Sequence, residues 1–412
     1  MLLLGTAALL AKTLSYATLH QMPTSIEKDY YIWRFLSQPT TTPTEARRII
    51  KEASHLNKKL KTAYKQKTGT LPPPIKSKYT TAPNHIWKQR SRAHKDFKSA
   101  LKLLREGKTK EAVSYLNAAR KNYKRRYDID KTLFWLYLVT KKRVYLDQLH
   151  RSHDPNIYTL MAADALRSSY PPTLTYRFRK KKSDINIKDP ITWANIKKKL
   201  NRTDDLEALA RKYEAQESIG IHTYIKAKAC KYTKAFFPMP YRDIMSKLPK
   251  NRQALIYAIA RQESHFVPAS VSRSFALGMM QFMPFLIDHV AKEKGEKIDY
   301  DEIFDPKKAI EYANYHLDYL SKYLYHPLFI AYAYNAGIGF TKRYLKNPKH
   351  FRNGPYEPYM SIESMKNAQA REYGKKVLAN YVIYMNKLGL HTRIFPLMKI
   401  LTTPEKTDAF RN

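Results

Sequence analysis

Residues 96–123, DFKSALKLLREGKTKEAVSYLNAARKNY, carry apolar side chains at helical spacing on both sides of Gly107. One stripe comprises Phe97, Ala100, Leu101 and Leu104, and the other comprises Ala112, Val113, Leu116 and Ala119. Spacings of three and four residues place side chains on one face of a helix, and glycine lets the chain turn between two helices. This stretch therefore predicts a helical hairpin.

Helical signals continue through the rest of residues 18–235. Thr42 and Glu45 have the spacing of a capping box, and Pro43 stands at the first helical position. Further amphipathic stretches cover residues 131–150, 156–169 and 204–213, whereas LPPPIK at 71–76 cannot be helical and predicts a connector. Because no fixed repeat period is present and only 11 glycines occur in 412 residues, we predict an all-α fold that begins with an irregular superhelix.

The segment FFPMPYRD, residues 236–243, contains two prolines and is the predicted boundary between the helical region 18–235 and a second domain, 236–412. The net charge of +40 is concentrated before this boundary, with +30 in residues 1–235 and +10 in residues 236–412. Such an excess predicts an anionic partner, either nucleic acid or a polyanionic surface. The single cysteine, Cys230, excludes an intramolecular disulfide and a cysteine-based zinc site.

The N-terminal stretch LLLGTAALLA, residues 2–11, has the length of a signal-peptide apolar core, and SYA ending at Ala17 has small residues at a spacing that suits cleavage. We therefore predict a signal peptide at residues 1–17 and export of the protein. Nothing basic precedes the apolar run, so an uncleaved anchor or a different start codon are the alternatives. No other stretch is long and apolar enough to predict a transmembrane span in the mature protein.

Glu263 lies at the end of an apolar stretch, in NRQALIYAIARQESHF. Helical spacing puts it on the same face as Leu255, Ile259 and Phe266. An apolar environment favours the protonated carboxyl, which raises its pKa toward the range useful for general acid catalysis. A buried glutamate paired with an arginine, or a frayed helix end, would give the same pattern.

The stretch that follows, VPASVSRSFALGMMQFMP, combines a polar loop residue, Ser272, with Gly278, Gln281 and Met283. An amide that both donates and accepts hydrogen bonds, next to an adaptable thioether, suits a site for an amide-bearing sugar. A loop followed by one more core helix is the plainer interpretation.

Three motifs in this order resemble the soluble lytic murein transglycosylase family. They are ESHFVPASVSRSFALGMMQFMP from Glu263, AYAYNAGIGF at residues 331–340, and Glu363 and Ser364 followed by Tyr373, Val377 and Leu378. The sequence departs from the family pattern at Val267, Ser270, Met279, Leu286 and Ile287. These departures concern substrate preference and leave the acid in place.

The resemblance implies a lysozyme-like catalytic domain with an N-terminal helical superhelix, located in the periplasm. It implies that Glu263 is the single catalytic acid and base, that Glu363 is a carboxylate in or behind the groove, and that the saccharide groove is lined by Ser272, Gln281, Met283, Tyr334 and Asn335. The implied reaction cleaves the MurNAc-GlcNAc β-1,4 bond of peptidoglycan without water and leaves 1,6-anhydro-MurNAc ends. Glycan strands are then the partner, and cell-wall synthesis or secretion machinery are further candidates.

Two alternatives stay open from the sequence. One is a hydrolytic muramidase on the same fold, and the other is a basic helical scaffold that binds nucleic acid and carries an inactive lysozyme-like domain. We do not expect nucleic-acid binding, because all three groove motifs are present. No His, Asp or Glu cluster has metal-ligand spacing, so the sequence predicts neither a metal nor a cofactor.

Overall fold

The computed structural model describes residues 13–75 and 84–411. Within these ranges the regular structure is helical, apart from isolated β-bridges such as the one between Leu174 and Phe236. The prediction of an all-α fold is confirmed. Residues 1–12 of the predicted signal peptide, and Lys76 of the predicted connector, lie outside the described residues.

The helices that precede the predicted boundary are α1 Tyr16–Gln21, α2 Ile26–Ser37, α3 Pro43–Ile49, α4 Lys58–Thr68, α5 Asn84–Arg105, α6 Thr109–Asn122, α7 Arg126–Thr140, α8 Arg143–His150, α9 Ile157–Ala165, α10 Pro190–Leu200, α11 Leu206–Arg211 and α12 Ile219–Ala229. The predicted hairpin is confirmed, because α5 and α6 flank Gly107, whose φ of 75° suits glycine. The capping box is also confirmed, since Thr42 and Glu45 exchange hydrogen bonds at the start of α3.

The helices that follow are α13 Arg242–Met245, α14 Lys250–Ser264, α15 Pro284–Glu293, α16 Pro306–Ser321, α17 Pro327–Ala336, α18 Ile338–Lys346, α19 Tyr359–Ser364, α20 Ala368–Lys387 and α21 Ile394–Lys399. The long helix α20 packs against both α14 and α17. No helix among the described residues is long and apolar enough to cross a membrane.

The segment of residues 236–240 lies over the α14–α20 pair. The hydroxyls of Tyr384 and Tyr257 donate to the carbonyls of Pro238 and Pro240, each at 2.9 Å, and their two rings stack at 5.2 Å. The Arg261 guanidinium lies 3.8 Å from the ring of Phe237. Buried aromatic rings and satisfied hydroxyls of this kind fix the position of α14 relative to α20.

Polar contacts connect the N-terminal helices with the second half of the chain. The hydroxyl of Tyr30 donates to Asp301 at 2.7 Å, and Arg34 pairs with Asp299 at 2.7 Å. One hydrophobic core also contains buried residues from both halves, from Leu14 to Leu401. Packing is therefore continuous across the predicted boundary at residue 236.

Candidate active site

Helix α14 presents Glu263 in its last turn. The preceding residues from Ala254 to Ala260 are buried, and the helix ends because His265 turns to a φ of 53° and donates its backbone N–H to the carbonyl of Ala260. The next residue, Phe266, also has a positive φ, of 65°. Two successive left-handed residues stop the helix after Ser264, one residue beyond Glu263, whose carboxylate is half-buried.

The Glu263 carboxylate is held by one tyrosine. The hydroxyl of Tyr373, a buried residue of α20, donates a hydrogen bond of 2.7 Å to Glu263 Oε1. Burial raises the pKa of Glu263 to about 7, and the hydrogen bond from Tyr373 opposes part of that rise. No other charged group of the described residues contributes to this pKa. Glu263 is therefore a carboxyl that can exist in either protonation state near neutral pH.

Close approach of α17 and α20 determines the position of Tyr373. The neighbouring residue is Gly374, and a Cβ on it would lie 2.2 Å from Cε1 of Tyr332, so no larger residue fits there without movement. The same region of α17 carries Tyr334, whose hydroxyl donates to the carbonyl of Met280 at 2.9 Å. Burial raises the pKa of both Tyr334 and Tyr373, and the negative charge of Glu263 raises it further, which indicates that all three side chains share one site.

The loop after α14 folds back on the end of that helix. Ser264 Oγ donates to the carbonyl of Met279 at 2.8 Å, and short β-bridges join Val271 to Leu277 and Leu277 to Phe282. Gly278 has a φ of 75°, and a Cβ there would lie 2.6 Å from the carbonyl oxygen of Ile303. Glycine is thus required for both conformation and space.

Ser272 and Gln281 hold this loop together. Ser272 Oγ accepts the backbone N–H of Ala276 at 2.9 Å. The Gln281 amide donates to the carbonyls of Gly278 and Ser270 at 2.8 and 3.2 Å, and Gln281 itself has a φ of 53°. Both side chains are half-buried. The hydrogen bonds of Ser272 and Gln281 stay within the loop and fix its shape. The carbonyl of Met280 connects the loop to Tyr334, and Ser264 connects it to α14.

Met283 and Asn335 lie at helix ends. Met283 precedes α15 as its N-cap, and Asn335 is the penultimate residue of α17, directly after Tyr334. Both are half-buried. The structure thus brings Glu263, Tyr334 and the loop of residues 270–282 together, with Asn335 next to Tyr334 in the chain.

Glu363 occupies a different environment. Its side chain is 4% exposed and pairs with Lys375 at 2.8 Å, while the hydroxyl of Tyr158 donates to it at 2.9 Å. Arg371 lies 3.7 Å away. Burial disfavours the charged form, but these cations hold the pKa of Glu363 below its usual range. The structure does not bring this carboxylate to Glu263, and it connects α9 to α20 instead.

Sequence reasoning did not assign a site role to Tyr373. Tyr373 belongs to the third motif, ten residues after Glu363, and that spacing is the signal in the sequence that points to it. Tyr158 and Lys375, which surround Glu363, have no motif of their own. Among the described residues, no group of three or more His, Cys, Asp or Glu side chains is arranged to hold a metal ion.

Comparison with known proteins places a family domain over this site. The family described as Transglycosylase SLT domain matches residues 243–355, which include Glu263 and Asn335 and end before Glu363 and Tyr373. Residues 243–355 are thus similar to a transglycosylase SLT domain. The resemblance noted in the sequence is therefore confirmed.

Curated relatives match about half of this chain. The soluble lytic murein transglycosylase of Salmonella typhimurium is 28% identical over 206 residues, which cover 48% of this chain and 31% of the relative. The protein of the same name from Escherichia coli K12 is 27% identical over 205 residues, which also cover 48% of this chain and 31% of the relative. The matched segment thus spans less than a third of either relative.

A solved structure extends the likeness to the whole chain. The 70 kDa soluble lytic transglycosylase of Escherichia coli superposes with a TM-score of 0.50 and 18% identity, covering 96% of this chain and 68% of that one. This likeness shows a shared fold.

Proposed function

We propose that this protein is a periplasmic lytic transglycosylase that cleaves the MurNAc-GlcNAc β-1,4 bond of peptidoglycan and leaves 1,6-anhydro-MurNAc ends. The observation that carries the proposal is the state of Glu263, a half-buried carboxyl whose pKa lies near 7 and which is held by Tyr373. The soluble lytic murein transglycosylases that match about half of the chain support the same reaction class.

The first step needs protonated Glu263. It donates its proton to the glycosidic oxygen, the bond from that oxygen to muramyl C1 breaks, and the GlcNAc O4 leaves as a hydroxyl. The acetamido carbonyl oxygen of the substrate bonds to C1 in place of the leaving oxygen, which forms an oxazolinium ion and spreads the positive charge. This role falls to the substrate because no other carboxylate affects the pKa of Glu263 among the described residues, whereas two-carboxylate glycosidases place a second one nearby.

The second step uses the ionised form. Glu263 accepts the proton of the muramyl C6 hydroxyl while O6 bonds to C1, which closes the 1,6-anhydro ring and displaces the acetamido oxygen. The carboxyl ends protonated, as it began, and no water is consumed. A pKa of about 7 serves both steps, since neither protonation state is costly near neutral pH.

The role assigned to the groove residues follows from their positions. Tyr373 is a positioning residue that orients the carboxyl. Tyr334 and the loop containing Ser272 and Gln281 form the adjacent wall, and Met283 and Asn335 are proposed to contact the sugars from the ends of α15 and α17. Glu363 is assigned to the support of α20 rather than to sugar binding.

Mass analysis of soluble muropeptides released from purified sacculi tests the proposal. Wild-type protein should release products 18 mass units lighter than the corresponding hydrolysis products, because one water is not added. Glu263→Gln should release none above background, and Glu214→Gln, which alters an exposed carboxylate, should match wild type. Anhydro products from Glu263→Gln would refute the assignment of the acid.

The same measurement distinguishes a transglycosylase from a hydrolytic muramidase on this fold. A muramidase would leave reducing muramyl ends, which borohydride converts to muramitol, whereas anhydro ends are not reduced. If wild type forms reducible ends and Glu263→Gln does not, Glu263 is still the catalytic acid. The reaction is then hydrolysis and not transglycosylation.

A further inference from the structure

One face of α4 is basic and open to solvent. Lys58, Lys61 and Lys65 are exposed at spacings of three and four residues, so they lie on the same side of the helix and form its lysine face. They line a groove of about 550 Å³, whose other lining residues are Thr62, Gln66 and Leu71. Among the described residues, no carboxylate lines this groove, and the three ammonium groups form no ion pair or hydrogen bond. The groove therefore concentrates uncompensated positive charge.

The carboxylates of the surrounding region are turned away from solvent. Residues 13–75 contain 10 Lys and Arg against 4 Asp and Glu, a net charge of +6. Glu27 and Asp29 are fully buried. Glu45 caps α3, and Glu52 pairs with Lys28 at 2.7 Å. None of the four is exposed, whereas six cations of the same region are, namely Arg47, Arg48, Lys51, Lys58, Lys61 and Lys65. The surface of this region is therefore more positive than its composition.

An apolar segment borders the lysine face. The side chain of Leu71 is 68% exposed and lines the same groove, and Pro73 and Pro74 are exposed beside it in the chain. Ile75 packs against the main hydrophobic core and so anchors the segment at its other end. Lysines next to exposed aliphatic side chains are typical of surfaces that bind the interface of an anionic membrane. Surfaces that bind single-stranded nucleic acid instead present aromatic rings for stacking, and the described lining of this groove has none.

The opposite side of α4 is fixed to the rest of the protein. Leu60 and Tyr64 are buried, and the Lys59 ammonium lies 5.3 Å from the centre of the Trp33 ring. At the start of the helix, the Asn57 amide donates to the carbonyl of a residue in the loop of residues 270–282, at 2.8 Å. That loop forms part of the candidate active site. A surface bound to the lysine face would therefore stand at a fixed position relative to that site.

We propose that the lysine face of α4, together with Leu71, docks on an anionic phospholipid surface. The three ammonium groups contact lipid phosphates, and the leucine enters the apolar layer beneath them. A phospholipid surface offers both an array of phosphates and an apolar layer, whereas nucleic acid offers phosphates without that layer, and neutral glycan offers neither. The inference goes beyond the proposed reaction and does not depend on it.

Cosedimentation of the full chain with lipid vesicles tests the inference. One set of vesicles is pure phosphatidylcholine, and the other contains about 30% phosphatidylglycerol, which is anionic. Neutral vesicles measure any apolar contribution from the rest of the chain. The variants are the triple substitution Lys58→Gln, Lys61→Gln, Lys65→Gln and the single substitution Leu71→Ser.

The matched control is the triple substitution Lys95→Gln, Lys98→Gln, Lys102→Gln on α5. These three lysines are exposed and have the same spacing as the lysine face, so the control removes the same charge from the same kind of surface. Carboxylates accompany them, since the Lys102 ammonium lies 3.9 Å from Glu106.

Wild type should bind anionic vesicles at least about a hundredfold more strongly than neutral vesicles at about 0.1 M salt, and salt near 1 M should abolish the difference. Each lysine at an anionic surface contributes about fivefold to the partition coefficient, so the triple variant in α4 should bind about a hundredfold more weakly. Leu71→Ser should lose about fivefold. The control on α5 should stay within about threefold of wild type, and all unfolding midpoints should match, because the altered side chains are exposed.

Three results would overturn the inference. Wild type could bind both kinds of vesicle equally, or the two triple variants could lose the same amount of binding, which would assign the attraction to overall charge. Wild type could also ignore vesicles and retain double-stranded DNA at about 0.15 M salt through the same three lysines, which would make the face a nucleic-acid site. Release of anhydro products from sacculi is measured separately, so none of these results bears on the proposed function.

Discussion

Tyr373 and Lys375 lie two residues apart on α20 and hold two different carboxylates. Tyr373 donates to Glu263 at 2.7 Å, and Lys375 pairs with Glu363 at 2.8 Å. Positions two apart on a helix point about 200° from each other, so the two carboxylates lie on opposite sides of α20. One helix thus positions the candidate acid on one side and is anchored to α9 through Tyr158 on the other.

Glu363→Gln should lower the free energy of unfolding by about 3 kcal/mol. The substitution leaves Lys375 buried without its closest carboxylate, and breaking one partner of a buried ion pair has this order of cost. Urea unfolding at pH 7 measures the change. Lys375 keeps Glu372 at 3.0 Å as its remaining carboxylate. The double variant Glu363→Gln, Lys375→Met should recover at least about 1 kcal/mol, because it removes a buried cation that has lost its closest partner. An unchanged unfolding midpoint with a raised KM would place Glu363 in the groove instead.

Tyr373→Phe should raise the pKa of Glu263 by about one unit, because the lost hydrogen bond stabilises the ionised carboxylate. We expect kcat/KM at neutral pH to fall between about tenfold and about a hundredfold, and the limb of its pH profile that reports Glu263 to move to higher pH. Tyr381→Phe, two turns further along the same helix, is the matched control and should retain the wild-type profile. If kcat/KM falls at every pH while the limb that reports Glu263 stays at the same pH, Tyr373 does not act through this carboxyl.

Local features of the fold could be predicted from the sequence. The α5–α6 hairpin follows from two apolar stripes around Gly107, and the start of α3 follows from Thr42, Pro43 and Glu45, because all the interacting groups lie within a few residues. Glu263 could also be identified as a candidate acid from nearby residues alone, since helical spacing places it on an apolar face. The raised pKa predicted from that position agrees with the structure.

Features that depend on distant contacts could not be predicted in this way. The hydrogen bond between Glu263 and Tyr373 joins residues 110 positions apart, and Tyr158 reaches Glu363 across 205 positions. Periodicity does not specify which helices meet. For that reason the third motif identified Glu363 as a carboxylate in or behind the groove, and only the packing of α9 against α20 revealed its ion pairs.

Stability should depend on pH through Glu263. Its folded-state pKa, about 7, is above the ordinary glutamate value of 4.5, so between these values the unfolded chain loses a proton that the folded protein keeps. Stability is therefore fully present below about pH 4.5 and declines as the pH rises toward 7. Glu263→Gln cannot ionise, so it should be more stable than wild type by about 2 kcal/mol at pH 8, with partial solvent exposure taken into account, and about equal at pH 4.5.

Urea unfolding at the two pH values measures this difference. Glu214→Gln, at an exposed position, is the control and should show no such change with pH. A gain in stability of the same size at both pH values would mean that the substitution acts through packing and not through the titration of Glu263.

Gly374→Ala should impair both folding and activity. The added Cβ would lie 2.2 Å from Cε1 of Tyr332, so α17 and α20 must separate, and overpacking of this kind costs about 2 kcal/mol. Separation also moves Tyr373 relative to Glu263, so kcat should fall by more than the folded fraction explains. Gly339→Ala, in α18 with its nearest neighbour at 3.6 Å, should be neutral or slightly stabilising. Equal unfolding midpoints for the two variants would contradict the close approach of α17 and α20 that positions Tyr373.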